Sequence, residues 1–317
     1  MLSINEGAYP LVQKLLAEPE RLNIAVTVLK NGATVIDCGQ KVRGSFLAGK
    51  IYAEITAGGM TEVEIITAQV GPYTLPATSV TCSQPLLGGW VSQRHAEPIP
   101  GQADQPILAG PAKTFLPGEE SVQYAGYIES FGYAIAPLQT EVTITEEYAE
   151  WVARACNISP RNLFILPAPS RSLVCAIQVA ARPVDQTMHR VQEEGFDIRK
   201  VLHVYGSAPI PPLAPDEATA MGRINDCLLY GTSAVLYMEG EDAELERLAP
   251  LLTIHSSPEY GKPFKQIFEE AGHSFHNINL RTHSVARVQI NNLLSGRTFS
   301  AGKIETDILI QSYFGEG

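Results

Sequence analysis

The sequence of 317 residues lacks the features of a membrane-spanning, nucleic-acid-binding or secreted protein. Its most apolar stretch, residues 173–181, is nine residues long and includes Gln178, whereas a membrane-spanning helix needs about 20 apolar residues. Positive charge is scarce, with 23 Lys and Arg against 34 Asp and Glu, which argues against a nucleic acid or an anionic membrane as partner. Asn5 and Glu6 lie where a signal peptide would carry basic and then apolar residues. We therefore expect a cytoplasmic protein without nucleic-acid or membrane partners.

Sequence motifs for cysteine chemistry and metal binding are also scarce. The five cysteines are odd in number and widely spaced, and they form no CxxC motif, which argues against a disulfide framework or a zinc site. His273 and His276 are close together, but no carboxylate ligand accompanies them, so we expect no metal site. The chain contains no GxSxG, Walker or GxGxxG motif, and thus no signature of a serine hydrolase or a nucleotide site.

Strand and helix patterns alternate irregularly along the chain, which predicts a mixed α/β fold built of α+β layers. Asn31-Gly32 joins two β-prone runs as a hairpin, Asn5 is expected to cap the first helix, and residues 297–310 are expected to form a strand. The length favours two domains, yet no linker divides them. We therefore expect two interleaved domains, roughly residues 1–145 and 146–317. The Pro- and Gly-rich residues 93–121 are predicted to form loops.

A long helix, predicted from Ser170 to about Glu194, carries the most informative charges. Arg182 and Asp185 are three residues apart, so their side chains are neighbours on a helix. Such a pair is most often a weak ion pair on a solvated face. Pro183, between them, lacks a backbone N–H and bends the helix, which leaves a carbonyl near Val179 in need of another partner. This need for another hydrogen-bond partner argues that the pair does not lie on an ordinary solvated helix face.

Two further segments have the composition of an anion-binding loop. Residues 206–209 (Gly-Ser-Ala-Pro) follow a strand predicted at Val201–Tyr205 and could bring backbone N–H groups near an anion, although a plain turn explains them as well. Residues 256–263 offer hydroxyl groups and a lysine, which suit a phosphate or a carboxylate, but capping of the next helix explains them equally well.

The combination of several motifs in one order is more specific than any of them alone. The segments that carry it are residues 31–39, 206–209, 220–226, 230–231, 260–264 and 295–298. Together they resemble the methenyltetrahydromethanopterin cyclohydrolases, and the resemblance extends from Ile4 to Phe314. It implies two α/β domains with a cleft between them, a homotrimer, and hydrolysis of the N5,N10-methenyl bridge of the pterin carrier to the N5-formyl form. It also implies that no metal or other cofactor is needed, the tetrahydromethanopterin derivative being the substrate.

The resemblance also assigns roles to individual residues. Arg182 and Asp185 align with the family's Arg-x-x-Glu pair, so Asp185 is expected to be the general base and acid, with Arg182 as its partner. Aspartate shortens the reach by one methylene, about 1.5 Å, and Pro183 is a candidate for compensating this loss. Lys113 replaces the arginine of a family stretch that survives as residues 109–113. The residues expected to contact the substrate are Lys113, Ser207, Arg223, Asn225, Asp226 and Lys262.

The changes at positions 185 and 109–113 leave two alternatives open. The chain could be a paralogue that binds a pterin or formyl carrier without hydrolysing it. It could also hydrolyse a related folate-type or amidine substrate.

Overall fold

The computed structural model describes residues 2–94, 108–274 and 277–315. The central part of the predicted loop region, residues 95–107, lies outside the described residues, and so does His276. Among the described helices, none combines the length and the apolar content that a membrane span requires.

Helices and strands alternate along the chain, and the prediction of a mixed α/β fold is confirmed. The α-helices are α1 (Ile4–Ala17), α2 (Pro19–Leu22), α3 (Phe46–Thr56), α4 (Glu120–Ala125), α5 (Glu146–Ala155), α6 (Leu173–Ala180), α7 (Pro183–Glu193), α8 (Glu217–Gly231), α9 (Asp242–Leu251), α10 (Phe264–Glu270) and α11 (Thr306–Phe314). The strands are β1 (Ala25–Val28), β2 (Thr34–Asp37), β3 (Thr61–Val70), β4 (Tyr73–Cys82), β5 (Ala134–Gln139), β6 (Leu163–Ala168), β7 (Val201–Pro209), β8 (Ser233–Met238), β9 (Arg287–Asn292) and β10 (Thr298–Gly302). A π-helix covers Leu86–Gln93 and a 3₁₀-helix covers Pro111–Phe115.

The chain divides into two compact units, each made of two separate segments. Unit 1 contains Met1–Glu62 and Leu87–Gln178, and unit 2 contains Val63–Leu86 and Val179–Gly317. The boundary expected near residue 145 falls inside unit 1.

Unit 1 is built on a four-stranded sheet with the order β1-β2-β6-β5. The predicted hairpin is confirmed, because β1 pairs with β2 in antiparallel fashion and Gly32 adopts a positive φ of 93° in the turn. Strands β2, β6 and β5 run parallel. Helix α5 packs against this sheet, and its Tyr148 and Val152 form a buried core with Ile165 of β6.

Unit 2 is built on a six-stranded sheet with the order β10-β9-β8-β7-β4-β3. Directly paired residues form a buried row across five of its strands, namely Cys82, Val204, Leu236, Ile290 and Phe299. Helix α7 packs on β7 and β8, while α9 packs on β9 and β10. Side chains alternate between the two faces of a strand, and Tyr205 and Tyr237 on the other face are exposed.

The prediction of one helix from Ser170 to Glu194 was wrong, because the segment forms two helices. Helix α6 ends at Ala180 and α7 begins at Pro183. Proline is unfavourable inside a helix but favourable at its first position, where its missing N–H costs nothing. Pro183 therefore starts a new helix instead of bending an old one.

The Gly-Ser-Ala-Pro segment was predicted to be a loop, and this was also wrong. Residues 206–209 belong to β7, where Gly206 pairs with Val80 and Ala234. A Cβ at position 206 would lie 2.4 Å from the Cβ of Pro183, so the glycine serves the close approach of α7 to this strand.

Two end assignments also need correction. The strand expected over residues 297–310 ends at Gly302, and α11 follows it, since a short apolar run fits a strand and a buried helix equally well. Ser3, not Asn5, caps α1, and its hydroxyl accepts the N–H of Glu6 at 3.0 Å. Asn5 is fully buried and instead donates to the carbonyl of Pro111 at 2.9 Å, because tertiary contacts engage its amide.

Candidate active site

Arg182 and Asp185 form an ion pair at the N-terminus of α7. Nε and Nη2 of Arg182 both donate to Oδ2 of Asp185, at 3.0 and 2.5 Å. The aspartate side chain is only 6% exposed and the arginine side chain 22%. Because both contacts end on one oxygen and little water reaches the pair, the orientation of the carboxylate is fixed by the guanidinium.

The local sequence explains why the pair forms here. Arg182 occupies the N-cap position of α7, Pro183 is its first residue and Asp185 its third. The first turn of a helix presents N–H groups without helical partners, and the helix dipole favours a negative charge there. Asp185 lies in this first turn, close to the residue that caps it.

Two of the carbonyls released by the interruption between α6 and α7, those of Val179 and Ala180, have partners among the described residues. The carbonyl of Val179 accepts the N–H of Arg182 at 3.1 Å, which meets the need expected from the position of Pro183. The carbonyl of Ala180 accepts the hydroxyl of Thr78 at 2.6 Å. Thr78 lies on β4 and is fully buried. The sequence does not reveal this contact, since 102 residues separate its two partners.

A buried carboxylate that an arginine holds in place is suited to accept a proton from a water molecule and to return it. The described residues contain no group of three or more His, Cys, Asp and Glu side chains that could hold a metal ion. The five cysteines are free and buried, and burial raises the pKa of the Cys38, Cys156 and Cys227 thiols, which disfavours the nucleophilic thiolate.

Lys113, a predicted substrate contact, is fully buried in the 3₁₀-helix of unit 1. Its Nζ lies 3.1 Å from Oγ of Ser121 and 3.4 Å from Oε1 of Glu119. Ser207, in unit 2, is half-buried on β7. Because neighbouring residues on a strand point to opposite faces, its side chain lies on the face away from Gly206 and α7. The structure therefore does not bring Ser207 together with the Arg182–Asp185 pair.

Arg223 and Asp226 are brought together by Ser312 of α11. Nε of Arg223 donates to the carbonyl of Ser312 at 3.3 Å, and the Ser312 hydroxyl donates to Oδ2 of Asp226 at 2.6 Å. The other oxygen of Asp226 accepts the N–H of Phe264, the first residue of α10, at 2.7 Å. Burial raises the pKa of Asp226 to about 7, although both hydrogen bonds lower it in part. Asp226 therefore joins α8 to α10 and α11.

The remaining predicted contacts lie near this helix group but not at its centre. Asn225 donates to the carbonyl of Met221 within α8, at 2.9 Å. Lys262 precedes α10, and its ammonium group pairs with Glu270 at 2.5 Å on the surface. The backbone carbonyl of Lys262 accepts the hydroxyl of Tyr230 at 2.6 Å, which ties the segment to α8. For all six predicted substrate contacts the role itself stays a prediction.

A polar cluster surrounds Glu305, a residue that no sequence motif singles out. Its Oε1 contacts Nε2 of His255 at 2.8 Å and the hydroxyl of Tyr260 at 2.5 Å, and its Oε2 pairs with Lys303 at 3.3 Å. A cavity of about 440 Å³ lies beside it. Its lining residues are Pro250, Leu251, Thr253, His255, Ser256, Ala301, Gly302 and Lys303. Ser256, from the candidate segment 256–263, lines this cavity, whereas the eight residues assigned to catalysis or substrate contact do not. In the sequence, only the hydroxyl groups of Ser256, Ser257 and Tyr260 indicated a polar site in this region, and they indicated it weakly.

Similarity to known proteins extends over nearly the whole chain. Residues 3–313 match the family model described as Cyclohydrolase (MCH). A protein of Methanocaldococcus jannaschii named methenyltetrahydromethanopterin cyclohydrolase is 33% identical over 317 residues, which cover 98% of this chain and 98% of that protein. A protein of the same name from Methanococcoides burtonii is 30% identical, covering 99% and 98%. One from Methylobacillus flagellatus is 32% identical, covering 98% and 95%.

Proposed function

The chain belongs to the methenyltetrahydromethanopterin cyclohydrolase family, and from this premise we propose that it hydrolyses methenyltetrahydromethanopterin, or its dephospho form, to N5-formyltetrahydromethanopterin. The observation that carries the proposal in this chain is the buried Arg182–Asp185 pair at the start of α7. A fixed carboxylate of this kind is what the hydrolysis of a cyclic amidinium requires.

Asp185 acts first as a base and then as an acid. The methenyl carbon shares a positive charge with N5 and N10 and is therefore electrophilic. Asp185 takes a proton from the attacking water, so that a neutral hydroxyl adduct forms at that carbon. It then gives the proton to N10 as the carbon–N10 bond breaks. The hydroxyl of the adduct loses its own proton to solvent as the formyl carbonyl forms, so one proton is released overall.

Arg182 supports both steps by holding Asp185 in place. The two N–H bonds to Oδ2 fix the direction of the carboxylate before the substrate arrives, which lowers the entropic cost of the reaction. Its positive charge also favours the electron-rich oxygen of the adduct as the carbonyl forms.

We propose that the reaction needs no metal or other cofactor. The methenyl carbon already carries the positive charge that a Lewis acid would otherwise supply, and no electrons are transferred in the hydrolysis.

For substrate binding, we propose that Arg223, Asn225 and Lys262 contact the pterin or its side arm. Ser207 lies on the sheet face away from α7, so we do not propose a contact between it and the substrate. Arg223 and Lys262 supply positive charge that suits an anionic side arm. Lys113 and Asp226 are buried and paired, and they act by holding the segments around them.

The quaternary structure and the compartment are proposals as well. The resemblance implies a homotrimer, and exposed aromatic side chains such as Tyr205 and Tyr237 are typical of surfaces that subunits bury. The five free cysteines suit a reducing compartment such as the cytoplasm.

The test follows the methenyl chromophore of methenyltetrahydromethanopterin. The purified protein is expected to bleach it, and Asp185→Asn is expected to lose at least about 100-fold in kcat while still binding the carrier, because the base is gone. Asp197→Asn is the matched control, because Asp197 also pairs with an arginine, Arg199 at 2.7 Å, but does so on the surface. Loss of the Asp197 carboxylate should leave kcat unchanged. Asp185→Glu moves the carboxylate by about 1.5 Å and is expected to lower kcat roughly tenfold if Pro183 has adapted the helix to aspartate.

Each alternative has its own outcome in this assay. Binding of the carrier by the wild-type chain without bleaching would show a non-hydrolytic carrier-binding protein. Turnover of methenyltetrahydrofolate with none of the methanopterin form would show a folate-type hydrolase. A faster Asp185→Glu variant would show that the shorter aspartate limits the rate.

A further inference from the structure

The corner between α6 and α7 is the structural feature that places Arg182 next to Asp185. Only Ala181 and Arg182 separate the two helices. In a continuous helix the Val179 carbonyl would accept from residue 183, but Pro183 has no N–H. The corner thus depends on substitute hydrogen bonds, and one of them, to Ala180, comes from the hydroxyl of Thr78 on β4.

The hydroxyl of Thr78 has a clear preference between its two possible acceptors. The Ala180 carbonyl lies at 2.6 Å, whereas the carbonyl of Ala208 on the neighbouring strand lies at 3.5 Å. A hydroxyl has one proton to donate, and the shorter contact is the stronger hydrogen bond. The proton therefore goes to the corner.

The site of Thr78 is rigid. Its backbone is paired with Ala208 inside the six-stranded sheet, and its side chain is fully buried. On the same face of the adjacent strand, Gly206 admits the ring of Pro183, since a Cβ there would lie 2.4 Å from the ring. The two strands thus hold the corner from both ends, by a hydrogen bond at Ala180 and by close packing at Pro183.

We propose that Thr78 is a positioning residue for the cyclohydrolase reaction: its hydroxyl fixes the α6–α7 corner and thereby the direction of Arg182 towards Asp185. The proposal rests on the proposed function of that pair. Ala180 lies two residues before Arg182, so a loss of its hydrogen bond shifts the guanidinium that orients the carboxylate. A shift of about 1 Å at a reacting group is enough to reduce a rate about 100-fold.

The experiment compares Thr78→Val, which keeps the shape and loses the hydroxyl, with Thr78→Ser, which keeps the hydroxyl. We expect kcat to fall about 10- to 100-fold in Thr78→Val with KM changed less than about threefold, and to return to within about threefold of wild type in Thr78→Ser. Thr253→Val is the matched control: Thr253 is also buried in unit 2 and donates to a helix carbonyl, that of Pro250 at 2.9 Å. Its acceptor belongs to α9, which packs on β9 and β10, and two strands separate these from β4 in the sheet. Thr253→Val should lower thermal stability to a similar extent and leave kcat unchanged.

The outcomes separate this proposal from the proposed function. An inactive wild-type chain overturns both. An active wild-type chain with unchanged kcat in Thr78→Val, or an equal loss of kcat in Thr253→Val, overturns only the role of Thr78. If Thr78→Val does not fold, Thr78→Cys replaces it, because the thiol is a weak donor of similar size. A kcat clearly below that of Thr78→Ser then supports the proposal, and a wild-type kcat contradicts it.

Discussion

At the residue scale, Asp185 and Asp226 show how two environments give one side chain two different tasks. Asp185 lies beside the guanidinium of Arg182 in the first turn of a helix. Asp226 is 1% exposed, and burial raises its pKa to about 7 despite the Ser312 hydroxyl and the Phe264 N–H. The first is suited to proton transfer with a substrate, and the second links helices.

The raised pKa of Asp226 predicts a specific dependence of stability on pH. In the unfolded chain this carboxyl group has an ordinary pKa near 3.8, so between about pH 4 and pH 7 the folded chain holds a proton that the unfolded chain has released. The free energy of unfolding should therefore fall as the pH rises through this window, by a few kcal/mol at most. Asp226→Asn keeps a neutral side chain of the same shape and should remove this slope, measured by urea unfolding at constant protein concentration.

Asp216 provides the control for this measurement on the same helix. It caps α8 by accepting the N–H of Thr219, and its pKa is lowered by this hydrogen bond. A lowered pKa gives the opposite sign, with stability lost only as the pH falls into the acid range. Asp216→Asn should leave the slope of the unfolding free energy against pH unchanged between pH 5 and pH 7. If Asp226→Asn also kept the wild-type slope, the raised pKa would not belong to Asp226.

At the element scale, the position of α7 on β7 depends on the missing side chain at Gly206. Gly206→Ala would place a methyl group 2.4 Å from Cβ and 2.6 Å from Cγ of Pro183, and a proline ring cannot move aside as a flexible side chain can. We expect α7 to shift, with a loss of about 1–3 kcal/mol in the free energy of unfolding and a clear fall in kcat. Thermal unfolding and chromophore bleaching measure the two effects.

Gly132→Ala is the matched control for this substitution. Gly132 also lacks a positive φ, but nothing lies within 4 Å of the Cβ that alanine would add. Both stability and kcat should therefore stay close to the wild-type values. A Gly206→Ala variant that behaves like Gly132→Ala would show that α7 is not held against the strand at this point.

Elements with local signals could be predicted from the sequence. The β1–β2 hairpin could be predicted in this way, because Asn31-Gly32 favours the tight turn between its strands. The break in the helix thought to run from 170 to 194 could not, because the apolar pattern on both sides of Pro183 keeps the same period. The new helix is accompanied by the packing of Pro183 on Gly206 and by the hydrogen bond from Thr78 to Ala180, and neither contact is local.

The same distinction applies to the candidate site. Spacing alone predicted that Arg182 and Asp185 touch, since residues three apart are neighbours on a helix turn. Thr78 could not be found in this way, because a buried hydroxyl on a distant strand has no sequence pattern of its own. An interrupted helix leaves carbonyls that need hydrogen-bond donors. Pro183 showed where such carbonyls would lie, but the sequence did not show which residue would donate to them.

At the scale of the whole molecule, the chain passes between its two compact units at residues 62–63, 86–87 and 178–179. The last of these crossings lies inside α6, close before the corner that carries the ion pair. Thr78, Gly206 and Pro183 all belong to unit 2, as do Arg182 and Asp185. The support of the pair therefore comes from one unit, although its strands derive from two separate segments of sequence.

The proposed homotrimer gives the last prediction, which concerns mass. Light scattering after size-exclusion chromatography should give about three times the 34.4 kDa of the chain. Subunits that bury aromatic surface associate tightly, so the mass should stay constant over a wide range of protein concentration, and kcat should not fall on dilution in the assay. A mass of one chain throughout would contradict the trimer without affecting the proposed chemistry, because Arg182, Asp185 and Thr78 lie within a single chain. A trimer that dissociates on dilution with loss of kcat would show instead that the assembled form is the active one.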